Sequence, residues 1–220
     1  TGDLGFMAFE GVRDAFGSRF INCGIAEQNM VSVAAGLARE GFKVFVYSIA
    51  PFIYARPFEQ IRNDICFSYL SVCLVGNGGG YGYGHMGPTH HALEDCAAMQ
   101  ALGLNVLVPA FEADIPQILT SWNGPTYLRL GLDESPEDFM PSTFTPWRNA
   151  LAGERGVWVI LGPLAGIALG VLLEVPRERR PALWICSAFE APPPHFYEAI
   201  RDQFITVFEE HVAEGGLAMM

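Results

Sequence analysis

The chain has 220 residues, room for one large domain or for one domain and part of another. Half of them are hydrophobic and 17% are charged, so a substantial core is expected and disorder is not. The formal net charge is −11 with only 13 Lys and Arg and no basic run, which makes nucleic acid and anionic membrane surfaces poor partners. The five cysteines (Cys23, Cys66, Cys73, Cys96, Cys186) form no C-x-x-C pair and sit in apolar surroundings. They read as reduced, buried thiols of a cytoplasmic protein, with no metal site expected.

Thr1-Gly2-Asp3 leads straight into structure, with no leader peptide expected. Phe9–Phe16 reads as a short helix and Arg19–Asn22 as a short strand. From Glu27 the pattern is helical, with Ala26, Met30, Val33, Ala34, Leu37 and Ala38 expected on the buried face and Gly41 as a stop. Phe42–Tyr47 reads as a strand and Pro51 opens a helical stretch to about Phe67. Ser71–Val75 is a short apolar strand running into a glycine-rich segment, 76–84. Helices over His91–Leu102 and Glu112–Trp122 alternate with strands over Asn105–Val108 and Thr126–Leu130. Strands and helices alternating in this way predict βαβ units around a parallel sheet covered on both faces. Residues 133–153 break the rhythm with Pro136, Pro141 and Pro146, and read as a linker. A second α/β pattern follows: strands at Val157–Leu161, Ala182–Cys186 and Ile205–Phe208, helices at Ala165–Leu173 and His195–Gln203. The run Val157–Leu173 imitates a membrane span, but Gly162-Pro163 divides it into strand, turn and short helix.

Three ordered stretches carry a family likeness: G-I-A-E-Q-N-M-V from Gly24, F-I-Y-A-R-P-F-E-Q-I-R-N-D from Phe52, and G-P-T-H-H-A-L-E-D from Gly87. Together they resemble the pyrimidine-binding domain of transketolases and 1-deoxyxylulose-5-phosphate synthases. The resemblance implies an α/β fold in which residues 1–132 are a three-layer, parallel-sheet domain binding the pyrimidine of thiamine diphosphate. Residues 154–220 would be an incomplete α/β domain like the transketolase C-terminal domain, with 133–153 as the linker.

On this resemblance Glu27 binds N1′ of the aminopyrimidine and serves catalysis, where an isolated helix would need it only to complement the helix dipole. Phe52 stacks on the same ring, Ile25 lines the slot and Gly79 lets backbone approach the cofactor. Tyr54 and Phe58 lie close enough to compete with Phe52. Arg56 falls where related synthases meet an anionic substrate group, with a structural ion pair to Glu59 as the alternative. His90 matches the histidine aimed at substrate, and His91 is its nearest rival. Met86 replaces the usual Asp before the Pro-Thr-His, and Gly78 stands where many relatives carry another His; both departures count against the usual sugar phosphate donors. No G-D-G followed by Asn-Asn is found, so the Mg²⁺ ligands are expected on a partner chain, with no metal site here. The implied enzyme is split: this chain with a diphosphate-binding, N-terminal-type subunit in a homodimer of heterodimers. It would transfer a two-carbon ketol or acyl unit between sugars or sugar phosphates. The alternatives are a 2-oxoacid dehydrogenase beta-type subunit and a non-catalytic scaffold.

Overall fold

Four short, mostly apolar runs lie side by side: β1 (Val44–Ile49), β2 (Val72–Asn77), β3 (Asn105–Leu107) and β4 (Thr126–Leu130). This computed structural model describes residues 1–5 and 7–220. The four strands are all parallel, in the order β1-β2-β4-β3. The alternation of side chains along a strand then decides which face each residue buries. Val72 and Leu74 of β2 and Tyr127 of β4 join Met30, Val31, Ile53 and Met99 on one face. Cys73, Val75 and Leu128 join Ile118 and Trp122 on the other. The first face is covered by α2 (Glu27–Arg39), α3 (Ala50–Ala55) and α5 (Asp95–Ala101), the second by α6 (Ile115–Ser121). Three layers result, as the alternation in the sequence implied; among the described residues, the one α-helix before α2 is the short, exposed α1 (Glu10–Phe16).

The second sheet is mixed. Its order is β5-β7-β6-β8, from β5 (Trp147–Leu151), β6 (Val157–Leu161), β7 (Ala182–Cys186) and β8 (Ile205–Phe208). β5 runs antiparallel to β7 and the other pairings are parallel. Between them lie α7 (Leu164–Leu172) and α8 (Pro194–Ile200). The two sheets share one apolar core, in which Met99 and Val106 join Trp184 and Phe196. The exposed edge of β3 is also covered by the second sheet's outgoing loop. Ser187 O accepts from Val108 N at 2.8 Å, and Phe189 N donates to Val106 O at 3.0 Å. That removes a row of unpaired backbone groups from solvent.

Several sequence expectations are corrected. The linker expected over 133–153 contains β5, because Trp147 and Arg148 are buried and take their places opposite β7. Arg19–Asn22 forms no strand: Gly17–Arg19 is a 3₁₀ turn. The helix expected from Pro51 to Phe67 breaks at Pro57, which has no N–H to continue α3. It resumes as α4 (Phe58–Gln60) and a π-helical turn over Ile61–Cys66. α5 starts at Asp95 rather than His91, leaving both histidines in a loop. In α2 the buried stripe is Glu27, Met30, Val31, Ala34 and Ala35, while Val33 is exposed. The helix is apolar on too many sides for spacing alone to fix its rotation. Val157–Leu173 is strand, turn and helix, as expected, and no helix among the described residues is long and apolar enough to cross a membrane.

Candidate active site

α2 turns back into β1 through residues 40–43, so the start of the helix lies near the carboxyl end of the strand, where α3 begins. Glu27 is the first residue of α2 and is only 5% exposed. A helix start favours a negative charge, yet a buried carboxylate still needs a partner. The partner is Arg56, whose Nη1 donates to Glu27 Oε1 at 2.5 Å. Arg56 lies one helical turn beyond Phe52, and its guanidinium carbon sits 3.5 Å from the Phe52 ring centroid. Gln28 Nε2 donates to the Arg56 carbonyl at 3.3 Å, tying α2 to the end of α3. The Phe52 ring also meets the His90 imidazole, centroid to centroid 5.4 Å. His90 belongs to a 3₁₀ turn over Pro88–His90, and its Nδ1 lies 2.9 Å from Thr89 Oγ1.

Thus Glu27, Phe52, Arg56 and His90, drawn from three segments, form one connected group. The remaining expectations fall differently. Arg56 pairs with Glu27 and not with Glu59. Ile25 is 78% exposed beside the helix start. His91 turns away, its Nε2 3.3 Å from Gly84 O and its ring 4.9 Å from Tyr81. Tyr54 donates its hydroxyl to Glu94 at 3.1 Å, and burial, then Glu94, pushes its pKa up to about 12. Gly78, Gly79 and Gly80 are needed for the chain's own packing: Tyr83, Arg129 and Glu210 fill the space a Cβ would take at each. Gly79 also lines a cleft of about 220 Å³ between the two sheets, with Arg129, Leu161 and Glu210, and no residue of the connected group lines it.

The sequence reading missed the buried polar group that anchors the His90 loop. Asp95 accepts from Tyr127 Oη at 2.7 Å and from Arg129 Nε at 2.9 Å. Arg129 Nη2 donates to Ala92 O and to Glu210 O, at 2.9 and 2.8 Å. Burial works against the Arg129 charge, but Asp95, Cys96 and Tyr127 together outweigh it and hold the guanidinium pKa above its ordinary value. A cation inside the apolar strand Thr126–Leu130 was the available signal. Asp95, Cys96 and His211 have potential ligand atoms within 4.8 Å of one another. Their chemistry does not suit a metal: Arg129 faces Asp95, His211 Nε2 accepts from Ala97 N at 3.2 Å, and burial raises the Cys96 thiol well above its usual pKa.

Residues 3–131 match the family model "Transketolase, pyrimidine binding domain". The chain belongs to this transketolase family. Over 131 residues it is 37% identical to one subunit of an apulose-4-phosphate transketolase of Phocaeicola vulgatus, a match covering 58% of this chain and 42% of that protein. Over 223 residues it is 30% identical to the protein of the same name from Actinobacillus succinogenes, covering 93% and 69%. A solved structure described as a split gene transketolase, inactive beta4 tetramer, has a TM-score of 0.82 at 31% identity. That match covers 100% of this chain and 75% of the other. The match spans less than half the length of the first of these relatives.

Proposed function

We propose that this transketolase-family chain is the C-terminal subunit of a split, thiamine-diphosphate-dependent enzyme that transfers a two-carbon ketol or acyl unit between sugar-type substrates. The observation that carries the reading is a buried helix-start carboxylate, Glu27, joined through Arg56 to the face of Phe52, which in turn meets the His90 imidazole. The donor set fits an aminopyrimidine: a carboxylate for ring nitrogen and an aromatic face beside it, already engaging a planar N–H-bearing group. When bound, thiamine diphosphate supplies the nucleophilic carbon and the electron sink.

The chain's own residues would serve it as follows. Glu27 holds and shares a proton at N1′ of the aminopyrimidine, a task suited to a carboxyl shielded from water. Phe52 stacks on the ring and keeps water out. With Nδ1 beside Thr89, His90 has Nε2 to meet a substrate oxygen and move a proton there. Arg56 is the cation available to an anionic substrate group. Mg²⁺ and the diphosphate would be held by the partner, a diphosphate-binding subunit, consistent with relatives that are themselves named as single subunits of a transketolase. A homodimer of such heterodimers, acting on sugars or sugar phosphates in carbohydrate metabolism, completes the reading.

Glu27→Gln in the reconstituted complex tests it. The variant should assemble and take up cofactor, while exchange of the cofactor's C2 proton with deuterated solvent slows by orders of magnitude. A Glu27 that only complements the helix dipole predicts a stability loss of about 0.3–1 kcal/mol and unchanged exchange. Unchanged exchange would remove Glu27 from catalysis.

A further inference from the structure

The guanidinium of Arg56 takes both contacts that the proposed function assigns to the aminopyrimidine. It donates to Glu27 Oε1 at 2.5 Å and lies over the Phe52 ring at 3.5 Å. A guanidinium is flat, delocalised and rimmed with N–H donors, and the edge of an aminopyrimidine offers the same flat array of ring nitrogen and amino group. While Arg56 lies there, Glu27 Oε1 and the ring face it covers are not open to a second flat group. We propose that Arg56 is a resident occupant of the pyrimidine site: it closes the site in the free chain and is released toward substrate when cofactor enters. The proposal rests on the reading of Glu27 and Phe52 as pyrimidine contacts and adds an order of events to it.

The local structure favours an occupant that can leave. Glu27 is buried and requires compensation, so an empty site would strand its charge; Arg56 removes that penalty. The Arg56 backbone is fixed, with its carbonyl held by Gln28 and Pro57 following it, so only the side chain need move. That side chain is 42% exposed against 5% for Glu27, so its path out leads directly into solvent. An ion pair of this exposure, with one cation–π contact, is weak enough for a ligand to displace. Once displaced, Arg56 remains beside the site as a free cation, and an anionic substrate group would be met only after the cofactor is seated.

The test uses the full chain, labelled with ¹⁵N, and 4-amino-5-hydroxymethyl-2-methylpyrimidine as the probe. In the free chain the Arg56 guanidinium N–H signals should be shifted by the Phe52 ring and exchange slowly with water; Phe52→Ala should abolish the shift. Adding the probe should move them to solvent-like positions. Arg56→Leu should bind the probe about tenfold more tightly than the unaltered chain, with Arg56→Lys in between; the Lys variant serves alone if the Leu variant melts early. Solvent-like Arg56 signals in the free chain overturn the proposal. So does undetectable probe binding by Arg56→Leu, or affinity no higher than that of the unaltered chain. If affinity is unchanged in Arg56→Leu but lost in Phe52→Ala, the occupant role falls while the pyrimidine site stands. If Phe52→Ala and Glu27→Ala both bind the probe as the unaltered chain does, the site assignment itself fails.

Discussion

His90 and His91 are adjacent in sequence but have different neighbours, and this separates their expected roles. His90 faces Phe52, whereas His91 packs on Tyr81 and reaches the Gly84 carbonyl. His90→Ala should therefore lower turnover by about 10²–10⁴-fold if His90 transfers a proton in the slow step, with cofactor affinity retained. His91→Ala should do far less, and the reverse ranking in steady-state assays would reassign the role. Phe52→Ala should weaken cofactor binding to the reconstituted complex by about 1–3 kcal/mol, read by calorimetric titration. At this scale the acid at the start of an apolar helical pattern made Glu27 stand out, but its role was read from the family resemblance and not from the pattern. The Glu27–Arg56 pair was not legible: 29 residues separate them, and Glu59 offered a nearer partner. At the glycines of 78–80 this chain's own side chains fill the room, and a glycine makes room for a neighbouring side chain as readily as for a ligand.

Strands announced by an apolar run were read correctly from the residues; β5, held by a distant polar partner, was not. The strands Thr126–Leu130, Val157–Leu161, Ala182–Cys186 and Ile205–Phe208 fall where their apolar runs predicted. β5 was hidden because its W-R-N-A-L run carries an arginine and follows three prolines. What makes that arginine tolerable lies 34 residues away. Arg148 Nη1 donates to Asp114 Oδ1 at 2.9 Å, Nη2 donates to Oδ2, and the guanidinium stacks over Phe111 at 4.8 Å. Asp114 Oδ2 also accepts from the backbone N–H groups of Ala110 and Phe111, both at 3.2 Å. Asp114 thus joins the entry to α6 with the edge of the second sheet. Asp114→Ala would leave Arg148 buried without its charge partner and should cost about 3–5 kcal/mol in denaturant unfolding. Asp114→Asn, which keeps an acceptor for the backbone, should cost less. Equal, small losses in both variants would show that the pair contributes little to holding β5.

Across the whole molecule the shared core has a consequence for alkaline stability. Cys73 and Cys186 lie in the interior of the two sheets, and burial pushes each thiol from an ordinary 9.0 up to about 12. Cys66 is raised by burial to about 11, and Tyr54 to about 12 from 10.0. In all four the folded state holds a proton that the unfolded chain releases sooner. Their contribution is fully present below the unfolded values and is lost as pH rises from about 9 toward 12, since the folded state then binds more protons than the unfolded one. Each thiol as deeply buried as Cys73 steepens the decline by at most about 1.4 kcal/mol per pH unit in that window. The melting temperature should accordingly fall progressively above pH 9. Cys73→Ala and Cys186→Ala each open a small void and should lower stability at pH 7, yet they remove a titrating group. The double variant should therefore start less stable and lose stability more gradually between pH 9 and 11 than the unaltered chain. Parallel curves for the two proteins would mean that these thiols do not drive the alkaline transition.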